Sequence, residues 1–222
     1  IPVVDKINRL VGQITVDDVM DEVREQTEHD QQLTAGLTQD VETSDSVFVQ
    51  TKARLPWLII GMLGGIGSSL LLNNFTSTLG SHPEMALFIP LLAGMGGNVG
   101  VQSSAIAVQG LANNSLDSSH MFKHIMKELL VALINATILS LLVYVYNFFM
   151  YDPLDIVTLS VPLSLFIVIM FASAFGTLVP MVLERMNINP AVATGPFIQI
   201  VNDLSGMTFY MIIAKLLSDL MF

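Results

Sequence analysis

Hydropathy divides the 222-residue chain into a polar first quarter and an apolar remainder. No charge interrupts Leu55–Ser81, Met85–Leu116, Leu129–Tyr151 or Ile156–Leu183, and a fifth run, Met186–Ala214, is broken by Asp203 alone. A membrane-crossing helix needs about 20 mostly apolar residues. The runs predict five spans, over residues 55–75, 84–112, 122–150, 156–184 and 191–218. Barrel strands would be ~10 residues long with alternating polarity. These runs are longer and uniformly apolar, so helices are expected. Upstream, Ile1–Asp5 and Arg9–Val19 pattern as two short apolar strands around a polar turn, followed by a Thr/Asp helix cap.

Composition sharpens the division. The chain is 52% hydrophobic and 13% charged, about half the charge of a soluble domain. Residues 1–54 hold 11 acids and 5 bases, and residues 55–222 hold 8 acids and 4 bases. A net charge of −10 argues against nucleic acid as a partner. The absence of cysteine excludes disulfides and thiolate metal sites. There is no signal-peptide pattern, and the start at Ile1 suggests part of a longer protein. Lys52, Arg54, Lys123, Lys127 and Arg185 fall on one side of the spans and Lys215 near the other. This bias predicts a multi-pass membrane protein with a cytosolic N-terminus and an outer C-terminus.

Two spans carry unusual residues. Ten of the fifteen glycines lie between Gly61 and Gly110. Gly61/Gly65, Gly64/Ser68 and Gly65/Ser69 have the small-xxx-small spacing of closely packed helices. Gly94–Ser104 adds Asn98, Gln102, Ser103 and Ser104 to its glycines at mid-span, which predicts a bend or unwound turn lining a path. In span five, Gln199 and Asp203 share one helix face, and Asn202 and Gly206 a neighbouring one. An Asp at mid-membrane costs about 2.5–3.5 kcal/mol on insertion scales. No span core offers Lys or Arg, and Asp203 is read as the one carboxylate within a span. Three readings stay open: a protonated Asp203 joining helices, a carboxylate hydrated in a pore, or a carboxylate facing a cation. The oxygen-rich neighbours favour the pore. The candidate ligands are Asp203, Gln199, Asn202, Thr194, Asn98 and Gln102, with freed backbone carbonyls such as that of Gly195. Lack of Cys and of a mid-span His argues against zinc and copper. One carboxylate among amides suits a hard, hydrated cation such as Mg²⁺, and a twofold dimer would supply two copies. Composition leaves Na⁺, Mn²⁺ and Ca²⁺ open.

Gly96-Gly97-Asn98-Val99-Gly100-Val101-Gln102-Ser103-Ser104 resembles the signature of the MgtE family of magnesium channels. Pro190–Phe197 with Asn202–Gly206, and Arg54-Leu55-Pro56-Trp57-Leu58 ahead of span one, are similar to the same family. The resemblance implies an all-α, five-helix homodimer in the bilayer. Spans two and five would line a central pore, and Asp203 would hold a hydrated Mg²⁺ as cargo. Bulky Gln199-Ile200 departs from the family's small residues beside that Asp. Residues 1–30 resemble the end of a CBS domain, 31–54 would be a cytosolic linker helix and 55–222 the pore domain. Asp18, Asp21, Glu25, Glu28 and Asp30 match an acidic stretch that would bind regulatory Mg²⁺, and equally suit a solvated helix face. The rivals are an ion-coupled divalent-cation transporter and an intramembrane enzyme, the latter needing two carboxylates at one site.

Overall fold

The computed structural model describes residues 1–113, 121–193 and 195–221. Strands β1 (Pro2–Val4) and β2 (Leu10–Gln13) form an antiparallel hairpin with Val3 opposite Gly12. Helix α1 (Val16–Thr34) starts at the expected cap. The Thr15 hydroxyl accepts from the Asp18 N–H at 3.2 Å, and the Asp18 carboxylate accepts from the Thr15 N–H at 2.8 Å. This reciprocal pair satisfies two N–H groups that no helical turn reaches.

The single linker helix expected over 31–54 is interrupted. α1 ends at Thr34, residues 35–46 form a non-helical connector, and α2 (Val47–Asn73) runs without a break from this connector through span one. The break falls at Gly36, whose φ of +82° suits glycine and reverses the chain. Side chains tie the connector back. Gln32 Oε1 accepts from the Val41 N–H at 2.8 Å, and Thr38 donates through its N–H to the Ala53 carbonyl at 3.0 Å. His29 Nδ1 lies 2.7 Å from an Asp40 carboxylate oxygen.

Among the described residues, five helices are long and apolar enough to cross a membrane: Val47–Asn73, Pro83–Ala112, Met121–Met150, Ile156–Arg185 and Pro196–Leu220. The second combines a 3₁₀ turn (Pro83–Phe88) with α4 (Ile89–Ala112), and the short α3 (Thr76–Ser81) precedes it. α5 (Met121–Met150), α6 (Ile156–Arg185) and α7 (Pro196–Met221) complete the bundle. α6 lies at its centre, with α4, α5 and α7 packed around it. Leu92, Leu165, Val168, Ile169, Tyr210 and Met211 form much of the core. Polar clamps fasten one end, where Tyr210 donates to the Met85 carbonyl at 3.0 Å and Asn147 to the Val157 carbonyl at 3.2 Å.

The bend expected in span two is absent. α4 is helical throughout, and its glycines serve close packing instead. Pro196 opens α7, where its missing N–H costs nothing, after a 3₁₀ turn (Pro190–Ala193) and Gly195 at φ +55°.

α2 touches the bundle chiefly along α7. The small face in use is Gly61, Gly64 and Gly67 rather than Gly61 and Gly65. A Cβ on Gly61 would lie 3.9 Å from Ile200, one on Gly67 3.7 Å from Leu204, and one on Gly65 would meet nothing within 4 Å. Gly64 is the tightest, at 2.5 Å from Ile200 Cγ2, so the bulk of Ile200 is received in a notch on α2.

Two predictions follow from these contacts. Gly64→Ala should lower the stability of α2 docking by about 1–3 kcal/mol through overpacking, and Gly65→Ala should leave it unchanged. Thermal unfolding of the two purified variants measures the difference. For His29, the hydrogen bond to Asp40 raises the imidazole pKa above its usual 6.5. The stabilisation this gives the connector is complete below the unfolded-state pKa and is lost as pH rises through the elevated folded one. NMR titration of His29 should report the raised value, and Asp40→Asn should return it toward 6.5.

Candidate ion site

Asp203 lies on the eighth residue of α7, about 10 Å along the helix from Pro196. It is half-buried, and Oδ1 is fully enclosed with no hydrogen-bond partner. The enclosing surface is α4. A Cβ on Gly97 would come within 2.7 Å of that oxygen and 3.1 Å of Gln199 Cγ, so any side chain at 97 would displace both. Gln199 and Asp203 do share a face, as the helical period requires, and together they border a cavity of about 670 Å³ between α2 and α7. Arg54, Trp57, Gly61 and Pro196 line the same cavity. A second cavity, of about 220 Å³, reaches Asp203 from the side of Gly64 and Ser68. No ion pair to Asp203 occurs among the described residues. A half-buried carboxylate that borders open space, with one oxygen enclosed and no Lys or Arg paired to it among the described residues, is suited to receiving a hydrated positive ion.

The other expected ligands separate. Asn202 is 1% exposed and points into the α4–α7 seam, where its amide occupies the notch left by Gly100 and its carbonyl faces Gly96. Neither its Nδ2 nor its Oδ1 has a partner. Asn98 and Gln102 stand one turn apart on the exposed face of α4, away from the seam. Gly94, Ala105 and Gln109 are exposed there too, so this single chain leaves small and polar residues of a membrane helix uncovered. The Gly195 carbonyl is not freed, because it accepts the Gln199 N–H at 3.0 Å. Thr194 lies outside the described residues.

The acidic stretch on α1 is already engaged in part. Asp18 caps the helix, and its carboxyl is held below its usual pKa by the Thr15 backbone and hydroxyl. Glu28 accepts from Arg24 at 2.9 Å, and Asp30 accepts from Asn189 at 3.0 Å. Among the described residues, no three His, Asp or Glu side chains gather as a metal cluster. The Asp30–Asn189 bond belongs to a tight junction between α1 and the elbow before α7. There a Cβ on Gly36 would meet Pro196, and one on Gly195 would run into the Thr34 carbonyl.

Asp203 is not the one carboxylate within the bundle. Glu128, on α5, is 9% exposed and accepts from the Ser103 hydroxyl at 2.9 Å. The charge-free run that begins at Leu129 excluded it by one residue. Its spacing of four from His124 was the available signal for a polar pair on one face.

Fold and site together describe a polytopic protein of five apolar helices with a carboxylate set against a glycine-notched helix. Residues 89–213 match the MgtE family, described as divalent cation transporters, and the chain belongs to that family. It is 34% identical to the "Magnesium transporter MgtE" of Thermus thermophilus over 221 residues, which is 99% of this chain and 49% of that protein. It is 32% identical to the protein of the same name from Enterococcus faecalis over 97% of this chain and 47% of the relative. For the one from Bacillus subtilis the figures are 30%, 96% and 47%. The chain thus spans about half the length of these relatives. The family is one of transporters, not enzymes, so the enzyme reading is set aside.

The fit at Gly97 makes a test. Gly97→Ala should displace Asp203 and Gln199 and reduce divalent-cation flux in reconstituted liposomes by about tenfold or more, equivalent to about 1.4 kcal/mol. Gly80→Ala, on the short helix α3 and with nothing within 4 Å of its Cβ, is the control.

Proposed function

We propose that this chain is the membrane domain of a magnesium channel, working as a homodimer in which α4 and α7 of both copies line one pore. Two Asp203 carboxylates hold a hydrated Mg²⁺ near the dyad, and Gln199 contributes from the same face. The observation that carries this reading is the Asp203 carboxylate itself, enclosed by Gly97, without a donor or a cation of its own chain, and open to a cavity. Magnesium suits it because that ion keeps most of its water and needs few carboxylates.

A second copy accounts for the uncovered residues. Lipid is a poor neighbour for Asn98, Gln102 and Gln109, which lie on one exposed face of α4. Facing a partner across water, they become pore-lining amides. α2, whose membrane window contains no buried residue, gains neighbours in the same assembly. On this reading residues 1–30 are the end of a CBS domain. The acids Asp18, Asp21, Glu25, Glu28 and Asp30 form a regulatory Mg²⁺ locus, joined to the α7 elbow through Asn189. The N-terminus is cytosolic and the C-terminus lies outside.

Asp203→Asn tests the site. Asn is nearly isosteric and still bonds between helices, so folding and dimerisation should survive. Mg²⁺ flux at low concentration should fall by about tenfold or more, and selectivity over monovalent ions should fall with it. The measurement is flux into liposomes without Na⁺ or H⁺ gradients. Wild-type flux and selectivity in the variant would remove Asp203 as the ion's anchor. Wild-type flux that requires one of those gradients would replace the channel with a coupled transporter.

A further inference from the structure

The turn of α4 that seats α7 is held from behind. Ser103 lies one turn beyond Gly100, and its hydroxyl is 2.9 Å from Glu128 Oε1 on α5 and 3.1 Å from Ser173 Oγ on α6. A serine has one proton, so while Ser103 donates to Glu128 it can accept from Ser173. All three residues are buried, at 3% exposure for Ser103, 9% for Glu128 and 1% for Ser173. Ser173 shares a face of α6 with Gly176, where α6 meets the Gly100 carbonyl of α4 directly. Gly100 and Ser103, one turn apart on α4, therefore touch α5, α6 and α7 between them. α4 carries no titratable side chain, and those of α6 are Glu184 and Arg185 in its last turn, where Arg185 reaches Met121 at the start of α5. Among the described residues Glu128 has no ion pair, and His124, one turn back on α5, leaves its Nε2 without a partner.

We propose that Glu128 is a positioning residue for ion transport. Through Ser103 and Ser173 it fixes the lateral position of the Gly96–Gly100 turn, and thereby the seat against which Asn202 and Asp203 rest. This rests on the reading of Asp203 as the ion's anchor. Glu128 itself touches no ion. Its lever is geometric, because the seat is a backbone surface without side chains to adjust, and a small shift of α4 alters the enclosure of the Asp203 carboxylate.

The test uses the purified, reconstituted chain with Mg²⁺ as the probe. Glu128→Leu removes the acceptor and should raise the Mg²⁺ concentration for half-maximal flux by about tenfold. Glu128→Gln keeps an oxygen toward Ser103 and should restore half-saturation to within about twofold of wild type. Ser103→Ala should reproduce the leucine effect, and the double variant should be no worse than either single one, as expected for one shared interaction. Hydrogen exchange over residues 96–103 should speed up in Glu128→Leu and stay at the wild-type rate in Asp203→Asn. That readout is independent of transport, so it separates failure of this proposal from failure of the Asp203 assignment. Faster exchange with unchanged half-saturation would overturn the proposal, since the clamp would then be structural alone. Equal damage from Glu128→Gln and Glu128→Leu would overturn it too, because charge rather than the hydrogen bond would then matter. If Glu128→Leu does not fold, Ser103→Ala with Glu128→Gln decides alone.

Discussion

Asp203 can lie against α4 because residue 97 has no side chain. The same holds one turn along, where Asn202 fills the space that a Cβ on Gly100 would need. Apolar burial does not drive helices together in lipid, where the surroundings are as apolar as the contact, and close backbone approach takes its place. The glycines of α4 supply that approach on two sides, toward α7 at Gly96, Gly97 and Gly100 and toward α6 where Gly100 faces that helix's Gly176. The result is a stiff seat for polar groups. A helix with ordinary side chains at these positions would hold α7 farther away and leave Asn202 and Asp203 in a loose, wet gap.

Such a seat carries a cost that other contacts must offset. Each glycine inside a helix costs about 1 kcal/mol relative to alanine, and buried amides or carboxylates without partners add to that. Ser103, Glu128 and Ser173 supply hydrogen bonds behind the seat. Val168 fills the space beside Gly96, within 3.0 Å of where its Cβ would be. Ser103, Glu128 and Ser173 behind α4 are paired, whereas the Asn202 side chain and Asp203 Oδ1 are not. Unpaired buried atoms also occur at Ser104, His124, Ser140, Ser160 and Ser164, so what sets Asp203 apart is that it is a carboxylate bordering a cavity.

The parts of this arrangement that depend on short stretches of chain were legible in the sequence. Five apolar runs became five helices, the Thr15–Asp18 cap formed, and Gln199 and Asp203 share a face. What was not legible depends on which element lies opposite. Glycine's intrinsic cost points to a break at Gly94–Ser104, but three neighbouring helices that need close contact keep the segment helical. Asn202 looks like a ligand beside Asp203, yet one step of the helix turns it by about 100° into a different seam. Glu128 looks like a boundary charge, until Ser103 and Ser173 arrive from helices 25 and 45 residues away in sequence. In the connector, a turn at Gly36 follows the end of α1, where the family resemblance implied one linker helix over 31–54.

The elbow at Gly195–Pro196 links these features to the polar part of the chain. Pro196 must begin α7, since an interior proline would remove a helical hydrogen bond. Gly195 must precede it with positive φ, so the direction of α7 is set in two residues. Those residues are closed in by the end of α1, through the Thr34 carbonyl on one side and Gly36 on the other. The first turn of α7 therefore cannot swing without displacing α1, and Gln199 and Asp203 follow within two turns on a rigid helix. Toward the other end, Tyr210 is fixed to the Met85 carbonyl. Between these anchors, the remaining freedom at Asp203 is the small lateral play of α4 and α7 across a glycine surface. A hydrated ion held through its water shell tolerates play of that size, whereas direct coordination would demand fixed distances of 2.0–2.1 Å for Mg²⁺. Under the proposed reading of Asp203, the glycine seat thus suits a cation that keeps its water.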